Sequence, residues 1–541
     1  MIKKKSHLIL SYALLFAVLL SACGNEPEPV AEETPETPDI NDFALLEMTI
    51  PQMQQKMDSG LLTSEQIVQL YLDRIKAIDE EGPTLNSVIE VNPDALEIAR
   101  NLDEERTQGN IRGPMHGIPV MIKDNINTAD KMMTTAGAAA LHGNYATEDA
   151  FLVRQLRASG AVLIGKTNLS EWANFRSTRS SSGWSSRGGQ TRNPFVLDRN
   201  PCGSSSGSGA AVSANLCAVT VGTETNGSIV CPSTANGVVG IKPTVGLVSR
   251  SGVIPISFSQ DIAGPMGRTV TDAAIFLGAL VGVDENDSKS AESDGKFETD
   301  YTRFLDTDGL QGKKIGVWRS RFGFHEQVDA ELDKALAAME AQGAELIDLD
   351  EIIENMDDLW GPSGLILEYE FKDGVNKYLA GATPSTGVKS LADVIAYNKA
   401  NEAQAMPFFK MEILESSEAR GDLTEKEYLN ALKLVQTSAR DGINNTIDQY
   451  DLDAIVAPTG GPAWCIDVIN GDNFGGGSSS PAAWAGYPNI SVPAGYVHGL
   501  PVGLSFFGKA WSEGELIRIA YAFEQATQHR KAPEFIGSVQ F

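Results

Sequence analysis

Along this chain, short apolar runs bounded by glycine alternate with stretches whose apolar residues fall on one helical face. Near the front, Thr63-Ser-Glu-Gln66 reads as a capping box that opens a helix through Ile78, because each end of the box satisfies an otherwise unpaired amide. Asn92-Pro93 predicts a second helix with proline at its first position, where no amide is needed. Gly117–Ile122 and Ala161–Ile164 read as strands on either side of an amphipathic helix at Asp149–Ala158. A short small-residue helix at Ala210–Leu216 precedes a strand at Ala218–Val221. The rhythm repeats later, with strands at Lys314–Trp318, Glu345–Leu349, Asp453–Val456, Asn489–Val492 and Leu504–Phe507 and helices at Gln327–Ala341 and Glu513–Gln528. Such alternation predicts an α/β fold, a mixed β-sheet core covered by helices on both sides. No fixed-period repeat and no linker-like break follows residue 43. Residues 43–541 are therefore read as one large domain, with a helical lobe inserted between residues 280 and 450.

The first forty residues follow neither rhythm. Lys3, Lys4 and Lys5 precede an apolar stretch from Leu8 to Leu20, too short for a bilayer-spanning helix and suited to a signal-peptide core. Leu20-Ser21-Ala22 then places small residues before Cys23. This segment resembles a bacterial lipobox, which implies cleavage after residue 22 and a lipid on Cys23. Residues 1–22 are thus expected to be a lipoprotein signal peptide. Residues 23–42, rich in Pro, Glu and Thr, cannot bury enough apolar surface to fold and are expected to be an acidic linker. The implied location is a bacterial cell envelope, with the membrane held through the lipid. Gly24 after the cysteine points to the outer membrane, if the host has one.

Composition narrows the function. Hydrophobic residues make up 42% and charged residues 21%, enough apolar material for a large core. The 43 Lys and Arg against 71 Asp and Glu leave a net charge of −28 and disfavour a nucleic-acid partner, which needs basic clusters to neutralise phosphate. Six His and five Cys form no tight cluster, which excludes a zinc ribbon or a disulfide scaffold.

Two familiar patterns occur and are rejected. Gly160-Ala-Val-Leu-Ile-Gly165-Lys166-Thr167 matches a phosphate loop, but a helix precedes it and its apolar filling would place its amides in a sheet ladder. Gly203-Ser204-Ser205-Ser206-Gly207 matches a nucleophile elbow, which needs a strand directly before it. Asp198 to Cys202 is turn chemistry instead, and His325, His498 and His529 sit in no distinctive setting.

A third constellation spans residues 202–246: CGSSSGSGAAVSANLCAVTVGTETNGSIVCPSTANGVVGIKPTVG. With Gly117-Ile-Pro-Val-Met-Ile-Lys123-Asp-Asn125, the segment Gly165–Glu171 and the stretch from Pro481 onward, it resembles the amidase-signature hydrolases over residues 50–535. The resemblance implies an amidase-signature fold and carries three functional residues over. The nucleophile in the GTxTxGSI element becomes Ser228, the bridging serine of the GSS element Ser204, and the lysine after the GIPVxI strand Lys123. It also implies a cis peptide at Gly203–Ser204 and an oxyanion hole from the backbone amides of Thr225, Asn226, Gly227 and Ser228. Asn226-Gly-Ser-Ile-Val230 departs from the commoner GGSIR, and Cys202-Gly-Ser-Ser from GGSS. Together with Pro255–Asp261 (PISFSQD), these departures look like the peptide-amidase branch, whose members remove the C-terminal amide from peptides.

The chemistry follows from the residue types. A serine hydroxyl needs a base, and a neutral lysine amine can serve. A solvated lysine has a pKa near ~10.4, so Lys123 must be buried to lose its proton near neutrality. Ser204 can relay, since a hydroxyl both donates and accepts. Competing readings are a surface Lys123 paired with Asp124, and turn serines without chemistry. Lys166 and Lys242 are read as structural. Cys202 and Cys231 flank the serine loops and could pair outside the cytosol, while free buried thiols are the default for Cys202, Cys217, Cys231 and Cys465. Trp464 and Trp484 fit the substrate pocket and the core equally well. No metal or organic cofactor is implied. The leading expectation is an amidase acting on small-molecule or peptide amides. Against it stand a glutaminase-like subunit of a tRNA-dependent amidotransferase, which the lipobox disfavours, and a non-catalytic envelope binding protein, which the intact serines and lysine disfavour.

Overall fold

The computed structural model describes residues 42–539. From Phe43 onward they form one compact unit. The strands are β1 (Val88–Val91), β2 (Pro119–Lys123), β3 (Val162–Thr167), β4 (Trp184–Ser185), β5 (Gly189–Gln190), β6 (Val219–Glu224), β7 (Val239–Lys242), β8 (Ile262–Gly267), β9 (Lys314–Trp318), β10 (Glu345–Leu349), β11 (Ala454–Pro458), β12 (Asn489–Val497) and β13 (Leu500–Phe507). β4 and β5 pair only with each other, and the other strands make one sheet in the order β1-β3-β2-β6-β8-β7-β12-β13-β11-β9-β10. The sheet is mixed. β3, β2 and β6 run parallel, as do β11, β9 and β10, while β6, β8, β7, β12, β13 and β11 pair antiparallel in turn. Every residue of β2, β3, β6 and β8 is buried. Successive side chains point to opposite faces, so both faces of this centre are covered, as an α/β core requires.

The apolar rhythm located eight of the thirteen strands, and the departures among the predicted helices have local causes. The helix opened by Thr63 is α-helical over Ser64–Arg74 and continues as a π-helix over Ile75–Glu80. There buried Asp79 accepts from the amides of Ser87 (2.8 Å) and Val88 (2.9 Å), which ties the turn to the start of β1. The next helix spans Ala95–Thr107, so Pro93 is not its first residue. Asn92 Oδ1 accepts from the Asp94 amide at 3.0 Å, and this side-chain turn delays the start. The small-residue helix runs over Ser206–Ser213 rather than Ala210–Leu216, because Ser206 Oγ bonds the Cys202 carbonyl at 2.7 Å and starts the first turn early. The helical lobe begins at Trp360 rather than near 280, since β9 and β10 belong to the main sheet. Its long helices, Trp360–Gly381 and Lys426–Tyr450, pack Tyr369, Tyr428, Val435 and Ile443 against Trp318, Trp484 and Phe507.

Candidate active site

β2 ends on Lys123, at the carboxyl end of a central strand where α/β sheets gather ligands. The side chain is fully buried. Its Nζ donates to Ser204 Oγ (2.8 Å), Thr223 Oγ1 (2.9 Å), Ser205 Oγ (3.0 Å) and the Thr223 carbonyl (3.2 Å). Burial strips water from the cation and pulls its pKa from 10.5 to about 7, against the opposing pull of the Asp261 and Glu224 carboxylates. Asp124 instead pairs with Arg187 at 3.1 Å. The reading of Lys123 as a surface lysine on Asp124 therefore falls. The other two candidate lysines are caged by carbonyls and hydroxyls. Lys166 donates to Ile126 O and Thr134 Oγ1, and Lys242 to Tyr487 O and Pro243 O, so neither reaches the serine loops.

Ser204 sits in the tight turn before the helix Ser206–Ser213, and its peptide with Gly203 is cis. Ser228 lies in the turn after β6. The two loops touch through the backbone, the Ser205 amide donating to the Ser228 carbonyl at 3.2 Å. The Ser228 hydroxyl makes no hydrogen bond to any described residue. Glu224 shapes this turn: its Oε2 accepts from the amides of Ile229 (2.8 Å) and Val230 (3.1 Å). The amides of Thr225, Asn226, Gly227 and Ser228 have no acceptor among the described residues. Gly227 adopts φ +84°, a conformation that costs glycine little. Thr225 Oγ1 donates to Asp261 Oδ1 at 2.5 Å, and Asn226 is pinned by Ser479 (2.7 Å) and Ser480 (3.1 Å).

Gly203, Asn226 and Gly227 open onto a cavity of about 710 Å³, large enough for a drug-sized molecule. Its other walls include Phe322, Phe324 and Trp464. Trp464 Nε1 donates to Asp472, which also accepts from the Ser182 amide and Asn200. Trp484 is not in this wall; it is fully buried and donates to Ser363 Oγ at 2.8 Å. The expectation of four free buried thiols is corrected: Cys202 and Cys231 form a disulfide with a Cα–Cα distance of 5.9 Å, and Cys465 is exposed, leaving Cys217 as the buried thiol.

The sequence reading passed over several residues of this site. Ser205 and Thr223 share the lysine with Ser204. Glu224 and Asp261 set the turn that carries Ser228, though Asp261 was visible only as the end of PISFSQD. Asp472 and Ser479–Ser480 come from a glycine-rich loop that carried no recognisable signal. The rejected patterns behave as their surroundings predict. Val162–Thr167 is a sheet strand, with Gly165 paired to Val91 and Met121, and His325 caps a helix, its ring nitrogen accepting from the Val328 amide. Among the described residues, no group of three or more His, Cys, Asp or Glu is placed to hold a metal ion. Residues 1–22, Cys23 and the expected linker apart from Asp42 lie outside the described residues.

The profile of the amidase family matches residues 66–517. The native peptide amidase of Stenotrophomonas maltophilia superposes with a TM-score of 0.87 at 48% identity, covering 91% of this chain and 99% of that one. A probable amidase of Arabidopsis thaliana is 44% identical over 92% of this chain and 93% of its own length. A glutamyl-tRNA(Gln) amidotransferase subunit of Carboxydothermus hydrogenoformans is 33% identical over 90% of this chain and 98% of its own.

Proposed function

The chain belongs to the amidase family, and we propose that it opens carboxamides through Ser228, Ser204 and Lys123, with C-terminal peptide amides as substrates. Membership makes it a hydrolase of amide carbon–nitrogen bonds. In the proposed cycle the Ser228 oxygen attacks the amide carbonyl. Its proton passes to Ser204 as the Ser204 proton passes to Lys123. The amides of Thr225, Asn226, Gly227 and Ser228 receive the oxyanion, where each donor is typically worth ~10²–10³ in rate. The protons return along the same path to the leaving nitrogen, ammonia departs, and water then hydrolyses the acyl-enzyme.

The observation that carries this reading is the 2.8 Å contact between a fully buried lysine amine and Ser204 Oγ. A lysine with its pKa lowered to about 7 is about half neutral near pH 7, so a large share of it can accept a proton there. The aromatic cavity beside Gly227 is suited to an acyl group with apolar side chains, as in a peptide. The 48% likeness to a peptide amidase, against 33% to the amidotransferase subunit, favours a self-sufficient amidase over a partner-dependent one. The test is ammonia release from a panel of peptide amides, simple aliphatic and aromatic amides, and N-acyl amines. Peptide amides are expected to turn over best, and Ser228→Ala to lower kcat at least ~10³-fold while the thermal transition stays in place. Turnover retained in that variant removes the nucleophile assignment.

We propose further that residues 1–22 are a lipoprotein leader and that Cys23 carries a lipid, which holds the enzyme in a bacterial envelope. The disulfide supports this, because cytosolic thiols are kept reduced and extracytoplasmic ones persist as disulfides.

A further inference from the structure

Both proposed serines lie inside one disulfide ring, each near an end. The cysteines are 29 residues apart; Ser204 stands two residues inside Cys202, and Ser228 three residues inside Cys231. Each cysteine is part of its serine's turn. The Cys202 amide donates to Asn200 Oδ1 (2.9 Å) and its carbonyl accepts from Ser206 Oγ (2.7 Å), with the residue held at φ +57°. The Cys231 amide donates to the Gly227 carbonyl at 2.8 Å. Between the two turns the direct backbone ties are Ser205 N to Ser228 O and Ser205 Oγ with the Thr223 backbone at 3.1 Å. Lys123 Nζ bridges Ser204 and Ser205 to Thr223, and Asn236 Nδ2 donates to the Pro201 carbonyl at 2.8 Å, but none of these bonds reaches the Ser228 side chain. No side-chain hydrogen bond to a described residue holds Ser228. Proton hand-over needs the Ser204 and Ser228 hydroxyls to close to ~2.6–3.2 Å once substrate is bound, since they share no hydrogen bond without it, and a misplacement of ~1 Å in their turns can cost ~10² in rate.

We infer that the Cys202–Cys231 disulfide is a positioning element for amide hydrolysis, fixing the spacing of the two serine turns so that the reduced enzyme stays folded but turns over slowly. This rests on the roles given above to Ser204 and Ser228. Folding survives reduction because both half-cystines sit in an apolar cluster with Phe195, Val196, Ala235, Trp464 and Leu500. A reductant has access because both line the cavity. The step balances simply. A small dithiol gives up two electrons and two protons, the sulfur–sulfur bond breaks to two thiols, and the dithiol closes to its cyclic disulfide.

The experiment uses the mature enzyme carrying Cys465→Ser, which removes the exposed thiol. It is incubated with dithiothreitol until alkylation and mass measurement count two new thiols. The expected result is a kcat lowered ~10–100-fold with KM within about twofold, an unchanged near-ultraviolet circular dichroism spectrum, and full recovery on reoxidation. The double variant Cys202→Ala, Cys231→Ala is expected to show the same low kcat and no response to the reductant. Full kcat with both thiols counted overturns the inference, as does a kcat loss that tracks loss of the near-ultraviolet signal. An oxidised enzyme that releases no ammonia from any amide overturns the serine roles as well, whereas a reduced enzyme at full speed overturns this inference alone.

Discussion

Lys123 differs from its two buried counterparts in what surrounds the amine. All three lysines are fully buried, and burial lowers each pKa, to about 8 for Lys166 and Lys242 and to about 7 for Lys123. Carbonyl oxygens hold the Lys242 amine, and one carbonyl and the Thr134 hydroxyl hold that of Lys166, whereas Lys123 faces three hydroxyls, one of them Ser204. The proposed role requires the neutral amine, so protonation must switch the enzyme off. As pH falls through about 7 the amine gains its proton and kcat/KM is expected to fall tenfold per unit; above that it should level off. A profile measured from pH 5 to 9 that stays flat rules out a lysine base. The resemblance to the amidase-signature hydrolases singled out Lys123, Ser204 and Ser228 beforehand, and the apolar strand before Lys123 foretold its burial; the serines by themselves read as turn residues. Asp261 was not legible. Its importance comes from the fold, which carries a residue 36 positions away onto the Thr225 hydroxyl.

Elements were readable where a local signal set them and unreadable where a tertiary contact did. The capping box at Thr63 marked its helix. The box at Thr49–Gln52, equally complete in the structure, went unnoticed because no long apolar stripe follows it. β9 and β10 matched their predicted residues outright, since glycine or charged residues bracket each apolar run. β7 and β8 were missed inside a run dominated by small residues and proline. The helix Ser206–Ser213 was misplaced for a related reason: its glycines read as loop, yet Gly207 is there for close approach. A Cβ on Gly207 would lie 2.5 Å from the Asn168 carbonyl oxygen and also strike that of Ser87. Gly207→Ala is accordingly expected to destabilise the enzyme by ~1–3 kcal/mol. Gly364 provides the contrast, exposed in the helix Trp360–Gly381 with nothing within 4 Å of such a Cβ. Gly364→Ala should stabilise by ~0.5–1 kcal/mol. Denaturant unfolding of both variants checks the pair, and equal effects would refute this view of the first glycine.

For the whole molecule, two independent features point to the same compartment: a lipobox-like segment at one end and a disulfide beside the proposed serines. The expected test is fractionation of a bacterial host producing the full chain. The protein should pellet with membranes and take up labelled palmitate, and Cys23→Ala should release it and abolish labelling. Equal pelleting of both forms without label would remove the anchor.

The strand order has a bearing on how the polypeptide can acquire its shape during synthesis. β12 and β13, made among the last residues, occupy the middle of the sheet between β7 and β11. Until they emerge, two half-sheets present bare inner borders, each with unpaired amides and carbonyls ready to template the wrong neighbour. A nascent chain cut short before Asn489 therefore cannot close. On the export proposed above, leaving this keystone until last would keep the chain extended for passage through a secretion pore, since premature closure would block it.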